Sequence, residues 1–267
     1  MRTLVFRRPQ YSESTEAKVM ADINQLQELC KSNLDFLYRE ILGYDRFNHK
    51  LHGNYAGDPA TNTPPGLAYF LDNSGSRKLI LVPRNHLKST VVTVTWAIQQ
   101  ILRNPEIRIC INNAKYDTAQ EFVGTIQKHL DSGSLLSKIF GEFRSPKLTW
   151  NLDSFTIAQR KKPRAQPTVM AASIDSILNG KHFDLIINDD LVEPNNVRTK
   201  EQIEKVIDFH KDCFNQIDKG GTIVDIGTRW AAQDLYGYVL NTSAGSVNGH
   251  KIEKGQEMTW YQYVPAV

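Results

Sequence analysis

A lysine followed by two hydroxyl residues stands just after a short apolar run, in the pattern of a phosphate-binding loop. Residues 78–82 predict a strand buried on both faces, and residues 89–103 predict a helix. Between them, loop N–H groups and the helix N-terminus would attract phosphate, while the lysine and hydroxyl serve the β- and γ-phosphates and Mg²⁺. The segment reads Pro83, Arg84, Asn85, His86, Leu87, Lys88, Ser89 and Thr90.

The usual glycines of such a loop are missing from this segment. In the pattern G-x-x-x-x-G-K-[ST], the glycines would stand where this sequence has Val82 and Leu87. The segment alone therefore leaves two interpretations open. One is a nucleotide site, and the other is an ordinary helix start at which Lys88 is solvated and Ser89 caps the helix.

Two acids follow a second apolar run. Residues 183–187 predict a buried strand, and Asn188, Asp189 and Asp190 come directly after it. Open α/β sheets place ligands at the carboxyl ends of their strands. In a nucleotide-hydrolysing enzyme the first acid would hold Mg²⁺ and the second would orient the attacking water. The alternative is a turn without function.

A threonine stands at the end of a third predicted strand. Residues 222–226 predict a strand, and Gly227, Thr228, Arg229 and Trp230 follow them. Thr228 would reach a γ-phosphate or the attacking water, whereas the alternative is a turn whose Trp230 packs in the core. The three motifs fall in this order on three strand ends, and together they favour a nucleotide site.

The elements that must position these motifs alternate between strand and helix. A further strand is predicted over 107–111, and helices over 117–131, 199–217 and 232–240. Such alternation predicts an α/β fold with a mostly parallel sheet and helices on both faces. Residues 1–66 are expected to form a helical preface and linker, and 67–267 the main domain. Residues 147–172 suit an inserted hairpin.

Composition narrows the class of protein only broadly. The 267 residues are 40% hydrophobic with a net charge of +3, which tolerates a nucleic-acid partner without demanding one. No apolar run approaches the roughly 20 residues that span a bilayer, and no signal peptide is apparent, so no membrane partner is expected. Three widely spaced cysteines indicate a reducing compartment rather than a disulfide framework.

The three motifs resemble those of one family. The string Pro-Arg-Asn-His-Leu-Lys-Ser-Thr (83–90) is similar to the variant Walker A motif in the large subunit of tailed-bacteriophage DNA-packaging terminases. The stretches 182–190 and 195–199 resemble the Walker B region of those proteins. Gly-Thr-Arg-Trp (227–230) followed by Asp-Leu-Tyr (234–236) resembles their coupling motif. The resemblance covers roughly residues 35 to 240.

The resemblance implies the ATPase domain of a packaging motor. Its fold would be an additional-strand, RecA-like P-loop NTPase, and its cofactors ATP and Mg²⁺. The implied partners are double-stranded DNA, the portal protein, the small terminase subunit and further copies of the chain in a ring, usually a pentamer. The implied location is the host cytoplasm, with transient docking on the procapsid. The nuclease domain that such proteins usually carry is expected to be absent from this chain.

The resemblance also implies roles for individual residues of the first and third motifs. Lys88 would hold the β- and γ-phosphates, and Arg84 would contact the γ-phosphate in cis. Ser89, or with less support Thr90, would ligate Mg²⁺. Thr228 would be the coupling residue.

The second motif departs from the family pattern. Asp189 matches the Walker B acid, but many terminases follow it with Glu, and here Asp190 is one methylene shorter. Glu193 is therefore a rival for orienting water, although Asp190 ranks first because its position matches.

The arginine finger of the family is also missing. Some members have an Arg followed by Gly about ten residues before the Walker B acid, where this sequence has Asn179, Gly180 and Lys181. Lys181 is a weak substitute because it lacks the planar fork of Arg. A finger contributes about 10³–10⁵ in rate, so another residue is expected to supply it. The remaining candidates are Arg144, Arg160 and Arg164. The basic run 160–164 would contact DNA or a neighbouring subunit, or else form a solvated turn.

Two other classes of protein share these features. A superfamily-2-type helicase or translocase has similar motifs but needs a second RecA-like lobe, for which the chain has no room. A degenerate P-loop module that binds DNA or the portal without hydrolysing ATP would explain the absent glycines. The retained Lys88, Ser89, Asp189 and Asp190 oppose that alternative.

Overall fold

The structure is a computed structural model that describes residues 13–58 and 65–242, together with the short segments 246–247, 250–251 and 261–263. Side chains are described for residues 21–58 and 65–241. Among the described residues, no helix is both long and apolar enough to cross a membrane.

The described strands form one sheet in the order β3-β4-β2-β5-β6-β1-β9-β7-β8. The run from β4 to β9 is parallel, and β7 is parallel to β9. β3 and β8 are antiparallel to β4 and β7. The strands are β1 (Arg77–Leu81), β2 (Ile109–Asn113), β3 (Ser154–Phe155), β4 (Val169–Ser173), β5 (Phe183–Asp189), β6 (Ile217–Gly227), β7 (Ser246–Val247), β8 (His250–Lys251) and β9 (Tyr261–Tyr263).

Helices fill most of the connections between the strands. They are α1 (Glu13–Ser32), α2 (Leu34–Phe36), α3 (His49–His52), α4 (Leu67–Asn73), α5 (Ala97–Arg103), α6 (Tyr116–Leu130), α7 (Leu135–Phe140), α8 (Lys200–Gln216) and α9 (Leu235–Thr242). Two π-helical segments, Leu37–Ile41 and Ser89–Trp96, run into this framework, and the second continues directly as α5.

Both faces of the sheet are covered, because alternate residues of each strand point to opposite sides. In β1, Ile80 belongs to a core shared with α4, α5 and α6, whereas Leu79 and Leu81 belong to a second core shared with α8 and α9. The N-terminal helices join the first core through Leu34 and Leu37. The structure thus confirms the predicted α/β class with helices on both faces.

The topology places one strand between the loop strand and the acid strand. β6 pairs with β1 on one side and with β5 on the other, with Leu81 opposite Gly227 and Asp189 opposite Ile226. This arrangement is the additional-strand order expected of the fold. It brings the three motifs to the same edge of the sheet.

β4 was not predicted as a strand of the central sheet. Residues 147–172, expected as an inserted hairpin, contribute β3 and most of β4. β4 pairs in parallel with β2 along its whole length. Its sequence, VMAAS, holds one β-branched residue, so the propensity that marks a buried strand is weak there.

Gly227 is the position of the sheet edge that tolerates a side chain least. A Cβ there would lie 1.9 Å from the hydroxyl oxygen of Tyr236, which is buried and donates a hydrogen bond to the Ile226 carbonyl. We expect Gly227→Ala to lower the free energy of unfolding by about 3 kcal/mol, the upper range for overpacking a core. Denaturant unfolding followed by circular dichroism measures the change.

Gly124→Ala is the matched control for that substitution. Gly124 lies within α6, where a Cβ would meet only the terminal methyl of the exposed Leu152 side chain at 2.9 Å. Alanine favours a helix over glycine by about 1 kcal/mol, so the control is expected to hold or gain stability. Equal unfolding midpoints for the two variants would contradict the packing described at Gly227.

Candidate functional site

The loop after β1 keeps a glycine-like backbone without glycine. Asn85 and Leu87 have φ angles of 66° and 59°, in the left-handed region that glycine adopts easily. Left-handed backbone costs a residue with a side chain roughly 1–2 kcal/mol. Leu87 stands at the second glycine position of the pattern, so the shape of a phosphate loop is retained although the residue type is not.

Lys88 is buried and paired, so it is not the solvated lysine of an ordinary helix start. Its Nζ lies 2.7 Å from Oδ2 of Asp190, and the residue is 7% exposed. Ser89 begins the π-helical segment without serving as a side-chain cap. The first and second motifs therefore meet directly.

Asp189 presents an unpartnered oxygen inside the site. The residue is fully buried, its Oδ2 accepts a hydrogen bond from the Thr93 hydroxyl at 2.5 Å, and its Oδ1 has no hydrogen-bond donor assigned among the described residues. Burial, and then the negative charge of Asp190, raise its pKa to about 6, against the lowering effects of Thr93, Ser89 and Lys88. A buried carboxylate oxygen beside a serine hydroxyl is a donor set that fits Mg²⁺.

The second acid lies at the open end of the site. Asp190 has a φ of 47°, and its N–H donates to the Ile226 carbonyl at 2.8 Å, which fixes its backbone against β6. Its side chain is partly exposed. The rival acid, Glu193, pairs instead with Lys115 at 3.0 Å. The structure therefore places Asp190 beside Lys88, whereas Glu193 belongs to a separate ion pair with Lys115.

The third motif is attached to the loop at two points. The Thr228 hydroxyl donates to the Val82 carbonyl at 3.1 Å, at the start of the loop. The guanidinium of Arg84 lies 4.5 Å from the ring centre of Trp230, within the range of a cation–π contact. Trp230 is 39% exposed, so it is not the core residue of the alternative interpretation. The strand ends and the loop form one connected site.

Part of the chain is similar in sequence to a phage protein. No protein-family model matches the chain. A stretch of 140 residues, 52% of the chain, is 26% identical to the terminase large subunit of Enterobacteria phage T3. The chain resembles a phage terminase large subunit. The match spans 23% of that protein's length.

Two kinds of solved structure are similar to the chain at low identity. The large terminase ATPase domain of Thermus phage P74-26 superposes with a TM-score of 0.44 at 14% identity, and a mutant of it with 0.47 at 16%. Each match covers 84% of this chain and 83% of the other. S. cerevisiae Dbp5, in a complex that contains ADP, gives 0.43 at 10% identity over 73% of this chain and 45% of the other. The resemblance to terminases rests on the sequence match and the three motifs, not on these superpositions.

Three of the four finger candidates contact residues outside the loop. Lys181 approaches the Met170 sulfur at 3.4 Å, and Arg144 pairs with Asp131 at 3.4 Å. Arg160 is half-buried and donates to the backbone carbonyls of Gln166 and Ile107, just before β4 and β2. Arg164 is exposed. A residue that acts on a neighbouring subunit would lie away from its own loop, so all four remain candidates.

Sequence reasoning missed several polar residues around the acids. Asn113, at the end of β2, donates to the Asp189 carbonyl at 2.6 Å, and Thr93 bonds its carboxylate. The signal that could have found Thr93 is its spacing of four residues from Ser89, which places both on one side of a helix. Beneath the site, a buried chain of hydrogen bonds joins Asn112, Asn188, Asp225 and His210 at 2.7, 2.7 and 2.9 Å.

Because the pKa of Asp189 is raised, its ionised carboxylate is expected to lower the stability of the nucleotide-free protein while serving to bind Mg²⁺. A carboxyl whose pKa rises from 3.8 to about 6 on folding favours the folded state while protonated and loses that contribution as pH rises through 6. We therefore expect Asp189→Asn to stabilise the nucleotide-free protein by about 3 kcal/mol at pH 8 and little at pH 4.

Denaturant unfolding at the two pH values measures this difference. The same variant is expected to lose Mg²⁺-dependent nucleotide binding. Asp153→Asn is the control, because that carboxylate is exposed and accepts hydrogen bonds from Tyr116 and Gln120 at the surface. A stability gain independent of pH would contradict the assignment to Asp189.

Proposed function

We propose that the chain binds and hydrolyses ATP with Mg²⁺ and is the motor part of a DNA-packaging terminase. One observation carries the ATPase assignment. Lys88 of the loop and Asp190 of the acid strand meet at 2.7 Å beside the buried, partly unsatisfied carboxylate of Asp189. Cation, carboxylates and hydroxyls are thus gathered at the carboxyl edge of a parallel sheet, where such sheets bind ligands.

The loop residues and Asp189 have separate roles in binding the phosphates and the cation. Lys88 exchanges Asp190 for the β- and γ-phosphates when nucleotide binds, and Arg84 leaves the face of Trp230 for the γ-phosphate. Ser89, with Thr90 as the less supported alternative, and Asp189 hold the cation. A magnesium ion held by these residues would supply positive charge against the phosphates in the transition state. Phosphoryl transfer needs little covalent chemistry, so positioning and charge supply most of the rate.

The release of Asp190 by the incoming phosphates frees its carboxylate to orient the attacking water. Thr228 already contacts the Val82 carbonyl, so it is placed to sense the loop before and after the γ-phosphate leaves. Its movement is transmitted along β6, which joins the loop strand to the acid strand.

The wider assignment follows the resemblance to terminases. The motor acts in the host cytoplasm as a ring docked on the procapsid, with double-stranded DNA, the portal protein and the small terminase subunit as partners. Residues 67–267 are its ATPase domain and 1–66 its helical preface. A trans finger from Lys181, Arg144, Arg160 or Arg164 completes the neighbour's site.

Mg²⁺-dependent ATP binding and hydrolysis by the purified chain test this proposal. We expect millimolar or tighter binding and slow turnover in dilute solution, because a neighbour's finger is absent there. Addition of portal and DNA is expected to raise the turnover. If the chain neither binds nor hydrolyses millimolar ATP, it is the non-hydrolysing binding module. If the dilute monomer hydrolysed ATP as fast as the assembled complex, the proposal that a neighbouring subunit supplies a finger residue would be wrong.

A further inference from the structure

The phosphate loop is held from outside by a histidine of the N-terminal segment. His52, the last residue of α3, is buried, and its Nε2 lies 3.0 Å from the His86 carbonyl oxygen. Its Nδ1 lies 3.0 Å from the backbone N–H of Asn48. A backbone N–H only donates, so Nδ1 accepts and the proton of the neutral ring is on Nε2. His52 therefore donates a hydrogen bond to the loop, and burial lowers its pKa, which favours this neutral form.

The short helix that carries His52 is fixed in place. The Asn48 side chain accepts from the backbone N–H groups of Lys50 and Leu51 and so caps α3. Gly66, just before α4, packs so closely that a Cβ there would lie 2.3 Å from the Gly53 carbonyl oxygen. The imidazole is thus a rigid donor rather than a mobile one.

The bond from His52 sets the direction of one loop N–H. The chain has no cis peptide in the described residues, and in a trans peptide the C=O and the following N–H point in opposite directions. The His86 carbonyl points to His52, so the Leu87 N–H points away from α3. That N–H has no acceptor assigned among the described residues. It precedes Lys88, where phosphate loops present their N–H groups to the anion.

We propose that His52 is a positioning residue for phosphate binding. It holds the 86–87 peptide between two left-handed residues, Asn85 and Leu87, so that the Leu87 N–H faces the nucleotide phosphates. In a glycine-containing loop, the glycines adopt the required backbone conformation without strain. Here the hydrogen bond from His52, outside the loop, helps to hold that conformation. The inference rests on the proposed ATPase function and adds to it a residue far away in sequence.

Two substitutions of similar bulk separate the hydrogen bond from the packing. His52→Phe fills the site beside the Phe47 ring but cannot donate, whereas His52→Gln keeps an N–H donor. We expect the KM for MgATP to rise about tenfold in the Phe variant with kcat nearly unchanged, because loop N–H groups bind ground state and transition state alike. The Gln variant is expected to stay within about threefold of wild type. Steady-state kinetics and calorimetric titration with MgATP measure both.

His49→Ala is the matched control. His49 lies on the same helix, but it is exposed and pairs with Asp35 instead of the loop. Its KM is expected to match wild type. Equal KM values for the Phe and Gln variants would overturn the role of His52 while leaving the ATPase proposal intact. A wild-type chain that does not bind MgATP would remove the ATPase proposal itself.

Discussion

Lys88→Ala is expected to lower kcat/KM for ATP by about 10³-fold and to weaken nucleotide binding by more than tenfold. The ammonium is the buried cation of the loop, and charge-assisted hydrogen bonds to phosphate are the strong ones. The fold should persist, because the Asp190 carboxylate left behind is partly exposed and can be solvated. Steady-state hydrolysis and calorimetric titration with MgATP measure the two effects.

Lys138→Ala is the control for the loss of one lysine. Lys138 lies in the last turn of α7 and is exposed. It is expected to leave both parameters unchanged. If Lys88→Ala bound and hydrolysed ATP as the control does, the segment 83–90 would be a helix start and not a phosphate loop.

Asp190→Asn is expected to lower kcat by about 10²–10⁴-fold while ATP still binds, at least as tightly as to the wild type. An oriented carboxylate that acts on the attacking water contributes a rate factor of this size. Binding is retained because Lys88 no longer has to leave an ion pair before it meets the phosphates. The backbone is retained because Asn accepts a positive φ as readily as Asp.

Glu193→Gln decides between the two acids. Its carboxylate pairs with Lys115, and we expect a change in kcat of less than about threefold. Single-turnover hydrolysis alongside equilibrium binding separates chemistry from affinity for both variants. A large loss of kcat in Glu193→Gln with little change in Asp190→Asn would transfer the water-orienting role to Glu193.

The positions of the motifs could be predicted because they depend on local pattern. The mostly apolar segments 78–82, 183–187 and 222–226 mark strands, and parallel strands bring their carboxyl ends to one edge. The strand order was expected from the resemblance, but the ion pair of Lys88 with Asp190 was not, because it depends on the side-chain positions that the loop and the strand end adopt in the fold. The left-handed backbone of Leu87 could not be predicted either, because leucine rarely adopts that conformation.

The supporting residues could not be predicted for a related reason. His52 lies 34 positions before the carbonyl that it bonds. Nothing in the pattern around His52 marks it, because a histidine in a short helix is usually a surface or core residue. Similarly, Asn113 reads as an ordinary strand end until its neighbour β5 is known. Contacts between elements distant in sequence become visible only when the fold aligns them.

The buried chain from Asn112 through Asn188 and Asp225 to His210 makes the centre of the molecule stiff. It links β2 to β5, β5 to β6, and β6 to α8 through side-chain hydrogen bonds. If one strand slid past another, buried polar groups would lose their hydrogen-bond partners, and each such group would cost about 1–3 kcal/mol. These four elements therefore move as a single body. The contacts of Arg84 with Trp230 and of Thr228 with the Val82 carbonyl lie outside this buried chain, at the edge of the sheet.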